Sequence, residues 1–283
     1  MNVTQRIDGF RGLHAQGCFV IPNPWDIGSA RWLRGLGFKA LATTSAGFAL
    51  SRGRADQDVP LDMMLAHIAE LVACVPDLPV NADFENGYAD APDDVAANVA
   101  RCLATGVAGL SIEDATGRAG EPLYDFDLAV ARVAAARRAI DRAGSGALLT
   151  ARAEGVLVVG PGALDDVCKR LAAFTAAGAD VLYAPGLRTR EQLGTVMAVA
   201  GGKPVNMLMF ADLGHTVADL AGLGVRRISV GGALARAAWA GFMTAADQIM
   251  RAGSFAGFAA NAMTRQVDNL FRNERKHGDA PSG

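Results

Sequence analysis

Lysine is scarce in this chain: 283 residues hold four, Lys39, Lys169, Lys203 and Lys276. None stands at the C-terminal end of an expected strand, which disfavours Schiff-base chemistry. The four cysteines, Cys18, Cys74, Cys102 and Cys168, are scattered without a C-x-x-C pair. Neither a disulfide framework nor a zinc site is expected, and a reducing, cytoplasmic setting follows. No apolar run reaches the roughly 18–20 residues that cross a bilayer. The segment Met1–Arg6 has no apolar core of a secretory signal, so no membrane association is expected. Basic residues number 27 against 29 acidic ones and form no long block, which leaves no electrostatic footprint for nucleic acid. The histidines, His14, His67, His215 and His277, fall on expected helices, loops or the tail and read as structural or solvated. A G-x-S-x-G elbow and a Walker loop are also missing.

What is present is a globular composition, 51% hydrophobic and 20% charged, at a length that suits one large α/β domain. Eight short apolar segments read as strands: Cys18–Ile21, Ala40–Thr44, Val80–Asp83, Gly109–Glu113, Leu148–Arg152, Val181–Pro185, Val205–Met209 and Arg227–Val230. Ala- and Leu-rich helical segments alternate with them, around 29–36, 61–75, 93–104, 126–143, 163–177, 190–199, 216–223 and 233–251. Glycines at Gly37, Gly106, Gly178 and Gly224 stand where a helix stops and a strand begins. Near-continuous apolar strands predict a parallel sheet covered by helices. A doubly wound open sheet is the rival. Eight evenly spaced units favour closure into a TIM-type (β/α)8 barrel, a single domain over residues 1–283 with an additional C-terminal helix near 255–273.

Active sites of such barrels lie at the C-terminal mouth of the strands. The stretch Asn81-Ala82-Asp83-Phe84-Glu85-Asn86-Gly87 puts Asn81, Asp83 and Glu85 on one face if the strand continues, since alternate side chains share a face. With Glu113 from the next strand, the mouth collects carboxylates that raise one another's pKa unless a cation neutralises them. Hard oxygen donors suit Mg²⁺ or Mn²⁺, giving Asp83, Glu85 and Glu113 as candidate metal ligands. Arg152 is a fixed cation able to grip a substrate carboxylate. The alternative is a buried Arg–Glu network that only holds the mouth together. Thr44-Ser45-Ala46-Gly47 is a small-residue turn whose N–H groups could face an anion or enolate oxygen. Gly231-Gly232 before a helix is either a phosphate-binding turn or a plain tight one.

The chain resembles the isocitrate lyase / phosphoenolpyruvate mutase superfamily over nearly its whole length. The resemblance rests on Asn23-Pro24-Trp25-Asp26-Ile27-Gly28-Ser29-Ala30, Thr43-Thr44-Ser45-Ala46-Gly47, Asn81-Ala82-Asp83 with Gly87-Tyr88, Gly109-Leu110-Ser111-Ile112-Glu113-Asp114 and Thr150-Ala151-Arg152. It implies a (β/α)8 barrel that uses Mg²⁺ to hold an α-keto or α-hydroxy carboxylate. It also implies cleavage or formation of a neighbouring C–C or P–C bond through an enolate. On the same ground Asp83 and Glu113 match metal-site carboxylates, and Asp56 a third acid in the site. Thr44, Ser45 and Ala46 match the loop on substrate oxygens, and Arg152 the substrate-binding arginine. Trp25, in the first of these motifs, and Asn206, on strand seven, complete the expected substrate-binding set, with Arg152, Asp56 and Glu113 the catalytic candidates. The last helix would pack on a neighbouring subunit of a homodimer or homotetramer.

Two departures from the pattern bear on the reaction. The D-x-D pair of the superfamily reads Asn81-Ala82-Asp83, with Glu85 able to restore the charge. Where the lyases carry a K-K-C-G-H loop, this chain has Ala115-Thr116-Gly117-Arg118-Ala119-Gly120-Glu121-Pro122-Leu123-Tyr124, without Cys, of which Thr116–Tyr124 is expected to act as a lid that excludes water. Decarboxylation of an oxaloacetate-like substrate tolerates that loss best. P–C chemistry on phosphonopyruvate and a non-catalytic ligand-binding barrel are the alternatives.

Overall fold

The computed structural model describes residues 1–258 and 264–278. In chain order its elements are α1 (Val3–Ala15), β1 (Phe19–Ile21), α2 (Ile27–Gly35), β2 (Leu41–Ala42), α3 (Ser45–Ser51), α4 (Leu61–Cys74), β3 (Val80–Asp83), α5 (Pro92–Leu103) and β4 (Gly109–Glu113). There follow β5 (Ala115–Arg118), β6 (Glu121–Leu123), α6 (Phe126–Arg142), β7 (Leu148–Arg152), α7 (Gly155–Val158), α8 (Leu164–Ala176), β8 (Val181–Tyr183) and α9 (Arg190–Ala200). The chain ends with β9 (Val205–Leu208), α10 (Val217–Gly222), β10 (Arg227–Ser229), α11 (Ala233–Ala252) and α12 (Thr264–Gly278).

Eight of these strands form one parallel sheet in the order β1-β10-β9-β8-β7-β4-β3-β2. The sheet curls until its edges meet, where the Ala42 N–H donates to the Pro22 carbonyl at 3.1 Å. The expected barrel is therefore the observed one, and all eight expected strands are present. β5 and β6 form a separate antiparallel hairpin after β4, in the segment expected to be a lid. Among the described residues no helix is long and apolar enough to cross a membrane.

The polar N-terminal segment, in which the sequence pattern predicts no element, is helix α1. Asn2 caps it, accepting from the Gln5 N–H while the Gln5 side chain returns the bond, a capping box that satisfies two orphan donors. Its apolar face seals the N-terminal end of the barrel, where Ile7 and Phe10 join Ile21, Ala40, Ala42, Ala108, Leu148 and Val181 in one buried cluster. Phe10 comes so close that a Cβ on Gly109 would lie 2.9 Å from its ring and 2.9 Å from the Leu148 carbonyl. Only glycine fits there.

The C-terminal helix begins at Thr264, later than expected; residues 259–263 of the expected span lie outside the described residues. Within this chain α12 leans on its own barrel, since a Cβ on Gly35 of α2 would fall 2.5 Å from Leu270 Cδ1. Phe242, Met243 and Met250 on α11, with Phe255 and Phe258 after it, are exposed apolar side chains.

Candidate active site

The sheet register sets side chains from five strands side by side. Glu113 pairs with Arg152, Arg152 with Tyr183, Tyr183 with Asn206 and Asn206 with Arg227. Paired residues in a parallel barrel point the same way, so a row of polar groups runs around the interior. It borders a cavity of about 310 Å³. Asp83 reaches that cavity from β3, Ser111 from β4, Arg152 from β7, Tyr183 from β8, Asn206 from β9, and Arg227 and Ser229 from β10.

Arg152 is the centre of the charge. Its Nη1 donates to Asp83 Oδ1 at 2.7 Å, its Nη2 lies 3.2 Å from Glu113 Oε2, and its Nε donates to Glu154 Oε1 at 2.7 Å. The guanidinium also sits 5.0 Å above the Tyr183 ring. Asp83's other oxygen accepts from both the backbone N–H and the hydroxyl of Ser45, each at 2.9 Å. One cation thus faces three acids. Burial first, then the surrounding carboxylates, holds the Glu113 carboxyl well above the ordinary range, with Arg152 opposing.

Three expectations at the site change. The turn Thr44–Ala46 is the start of helix α3, with Thr44 Oγ1 accepting from the Gly47 N–H, and the Ser45 N–H is committed to Asp83 instead of facing open space. The stretch Asn81–Gly87 does not run on as a strand to Glu85. β3 stops at Asp83, and Glu85, Gly87 and Tyr88 take positive φ values of 46, 75 and 56°, which turn Glu85 out of the row and into a separate polar cavity with Gln57, Asn86, Tyr88 and Arg118. Buried Arg132 pins this turn by donating to the carbonyls of Asn86, Ala89 and Asp90. Trp25 is half-buried beside Gly47 and is not among the side chains lining the 310 Å³ cavity.

The remaining candidates divide similarly. Asp56, Thr44, Ser45, Ala46 and Asn206 all line the cavity. Glu113 lies behind it, bonded to Arg152 and to the Gln57 amide at 3.4 Å. Asp114 is a brace: its carboxylate accepts from the Glu154 N–H at 2.7 Å and from Arg170 at 3.2 Å. Asn23 ties three strand ends together, donating to Thr43 O and accepting from the Val230 and Gly231 N–H groups, all at 2.9 Å. Tyr183, Ser229 and Arg227 were missed as site residues. Tyr183 was detectable as a rare tyrosine at a strand end, whereas Arg227, in the pair Arg226-Arg227, carries no sequence signal separating it from a surface cation.

The donors present suit a hard divalent cation. Among the described residues no three His, Cys, Asp or Glu side chains close on one point as a protein-only metal cage. Mg²⁺ does not ask for one, because it binds through one or two carboxylates, waters and substrate oxygens. Glu85 supplies a buried oxygen, Oε1, without a hydrogen-bond partner. Its carboxyl is pushed up to about 8, chiefly by burial and then by Asp83.

A mostly parallel (β/α)8 barrel with an arginine among carboxylates at its mouth defines a class of enzyme built to hold small anions. The Phosphoenolpyruvate phosphomutase family model matches residues 10–250. The chain belongs to this family, within the superfamily it shares with isocitrate lyase. A crystal structure of a lyase/mutase-class protein from Burkholderia cenocepacia J2315 is 47% identical and superposes with a TM-score of 0.91, covering 95% of this chain and 97% of that one. The oxaloacetate decarboxylase of Paraburkholderia xenovorans is 32% identical over 76% of this chain and 71% of its own length. The structure of 2,3-dimethylmalate lyase is 27% identical at a TM-score of 0.84, covering 100% of this chain and 99% of that one.

Proposed function

We propose that this protein is a Mg²⁺- or Mn²⁺-dependent carbon–carbon lyase for a small 2-oxo dicarboxylate, releasing carbon dioxide from an oxaloacetate-like substrate. One observation carries the choice of reaction. Among the described residues, the cavity that holds Asp83 and Arg152 is lined by no Cys, His or Lys. Decarboxylation breaks its bond without such a group, because carbon dioxide leaves as a neutral molecule and needs no proton. The resemblance to the Paraburkholderia decarboxylase supports the same reading.

Asp83, the carboxylate that lines the cavity on β3, would hold the metal ion together with waters and substrate oxygens, and the bound ion would polarise the 2-oxo oxygen and take up developing negative charge. Arg152 pairs with the carboxylate next to the oxo group and fixes its orientation. Ser45 holds Asp83 in place through two hydrogen bonds. As the C–C bond breaks, its electron pair passes into the enolate. The Tyr183 phenol, pushed up to about 12 chiefly by burial, donates a proton to the enolate carbon and regains one from solvent.

Oxaloacetate with Mg²⁺, corrected for its spontaneous breakdown, tests the reading through pyruvate and carbon dioxide. Saturable production of both, lost on Asp83→Ala, is expected. Turnover of phosphonopyruvate with none of oxaloacetate would replace it with P–C chemistry. The exposed apolar face of α11 and the turn after it supports assembly into a homodimer or homotetramer, which light scattering measures directly.

A further inference from the structure

Arg227 is buried, with 3% of its surface exposed, yet it lines the cavity. Its Nε donates to Asn206 Oδ1 at 2.8 Å and its Nη2 to Thr150 Oγ1 at 3.0 Å. Its Nη1 lies 3.4 Å from His14 Nε2. A guanidinium has five N–H donors, so two are left over. None of the three partners carries negative charge. His14 is held neutral, its pKa lowered to about 3 by burial and then by Arg227 itself. Arg152, by contrast, faces three carboxylates, and buried Arg170 faces Asp114 and Asp166. Arg236, the other cation on the cavity wall, sits exposed at the rim on α11.

A buried cation without a counter-charge is costly, and natural interiors avoid it unless something binds there. Burial, with Arg152 adding to it, pulls the Arg227 guanidinium down to about 10, so it remains charged at neutral pH. Its place in the barrel is also defined. Thr150 precedes Arg152 by two residues on β7, about 7 Å along a strand, and its side chain shares the inner face. Because barrel strands tilt, the register row descends from Arg152 through Tyr183 and Asn206, and the Arg227 head at Thr150 lies one layer beneath Arg152, on the floor of the same cavity.

We propose that Arg227 forms a second anion subsite at the cavity floor, which receives the distal carboxylate of a dianionic substrate whose first carboxylate is held by Arg152. The substrate then lies along the barrel axis, and its length is read by the separation of the two guanidinium groups. The proposal deepens the lyase reading and rests on it for the identity of the cavity as the substrate site.

Calorimetry with Mg²⁺ and unreactive probes tests it without needing turnover. Oxalate is too short to span both arginines, L-malate spans them, and lactate is malate without the distal carboxylate. The wild type should bind malate at least 50-fold more tightly than lactate. Arg227→Met should weaken malate 50-fold or more while leaving oxalate within threefold, and Arg227→Lys should recover part of the loss. Because Arg227→Met could fail to fold, Arg236→Met supplies an independent reading: the malate-over-lactate preference should survive it. Loss of that preference in Arg236→Met, equal weakening of oxalate and malate in Arg227→Met, or no malate preference in the wild type would each overturn the floor subsite. Absence of oxaloacetate turnover with the preference intact would instead count against the lyase reading alone.

Discussion

Truncating Phe10 to alanine tests whether α1 is a structural part of the barrel. The ring is fully buried, packed against Gly109 and edge-on to His14 at 4.6 Å. A buried Phe→Ala change costs about 3–5 kcal/mol, from lost transfer energy plus the cavity left behind. At about 2 cal/mol/K per residue, a chain of this length should lose roughly 5–8 °C in Tm. The urea midpoint should fall with little change in slope. A second readout comes from His14, whose Nδ1 sits 2.8 Å from the Phe10 carbonyl oxygen. With its folded pKa lowered to about 3, His14 takes up its proton in the unfolded state first. Its share of stability is therefore complete above about pH 6.5 and is lost as pH falls toward 3, by up to ~1.4 kcal/mol per unit. Water entering the Phe10 cavity raises the folded pKa of His14 and flattens this dependence. His67, lowered to about 4 chiefly by burial, gives the same trend, and Glu85, raised to about 8, gives the opposite one. The quantity to compare is thus the difference between mutant and wild-type profiles: the mutant's deficit should shrink from pH 7 to pH 5. A cost under 1 kcal/mol, or a deficit independent of pH, would refute the packing argument.

Three other outcomes follow from the same contacts. Gly109→Ala should destabilise by about 1–3 kcal/mol, measured by urea denaturation, and Phe10→Ala should relieve it only in part, because the Leu148 carbonyl 2.9 Å away cannot move. Arg132→Met should cost about 3 kcal/mol, since it leaves the Asn86, Ala89 and Asp90 carbonyls without a donor; proteolysis should then cut first between residues 85 and 91. Asp83→Asn should lower kcat/KM more than 100-fold and weaken Mg²⁺ in calorimetry, while circular dichroism shows an intact barrel.

The barrel was readable because eight apolar strands and their helix-ending glycines are local signals, each contained in fewer than ten residues. Helix α1 was not. Its sequence is polar enough to pass for a lead-in, and its worth comes from Phe10 meeting Gly109, a contact between residues far apart in the chain. The turn at Glu85 escaped for a related reason. Nothing in Asn81–Glu85 itself announces the left-handed residue that ends β3, which is held by Arg132 from α6. Asp83, Glu113 and Arg152 were legible because strand-end acids and a strand-end arginine are unusual in themselves.

Arg227 shows where such reading stops. An arginine in a basic pair at the start of a strand reads as surface, and the sheet register alone moves it inside. Once β9 and β10 pair Asn206 with Arg227, its head bonds neutral Asn206, Thr150 and His14. The same helix that plugs the barrel therefore supplies the histidine that keeps the floor free of competing negative charge. On this view α1 bears on the site as well as the fold. Phe10→Ala should weaken malate more than oxalate, because loosening His14 admits water that competes for Arg227; equal effects on both probes would confine α1 to packing.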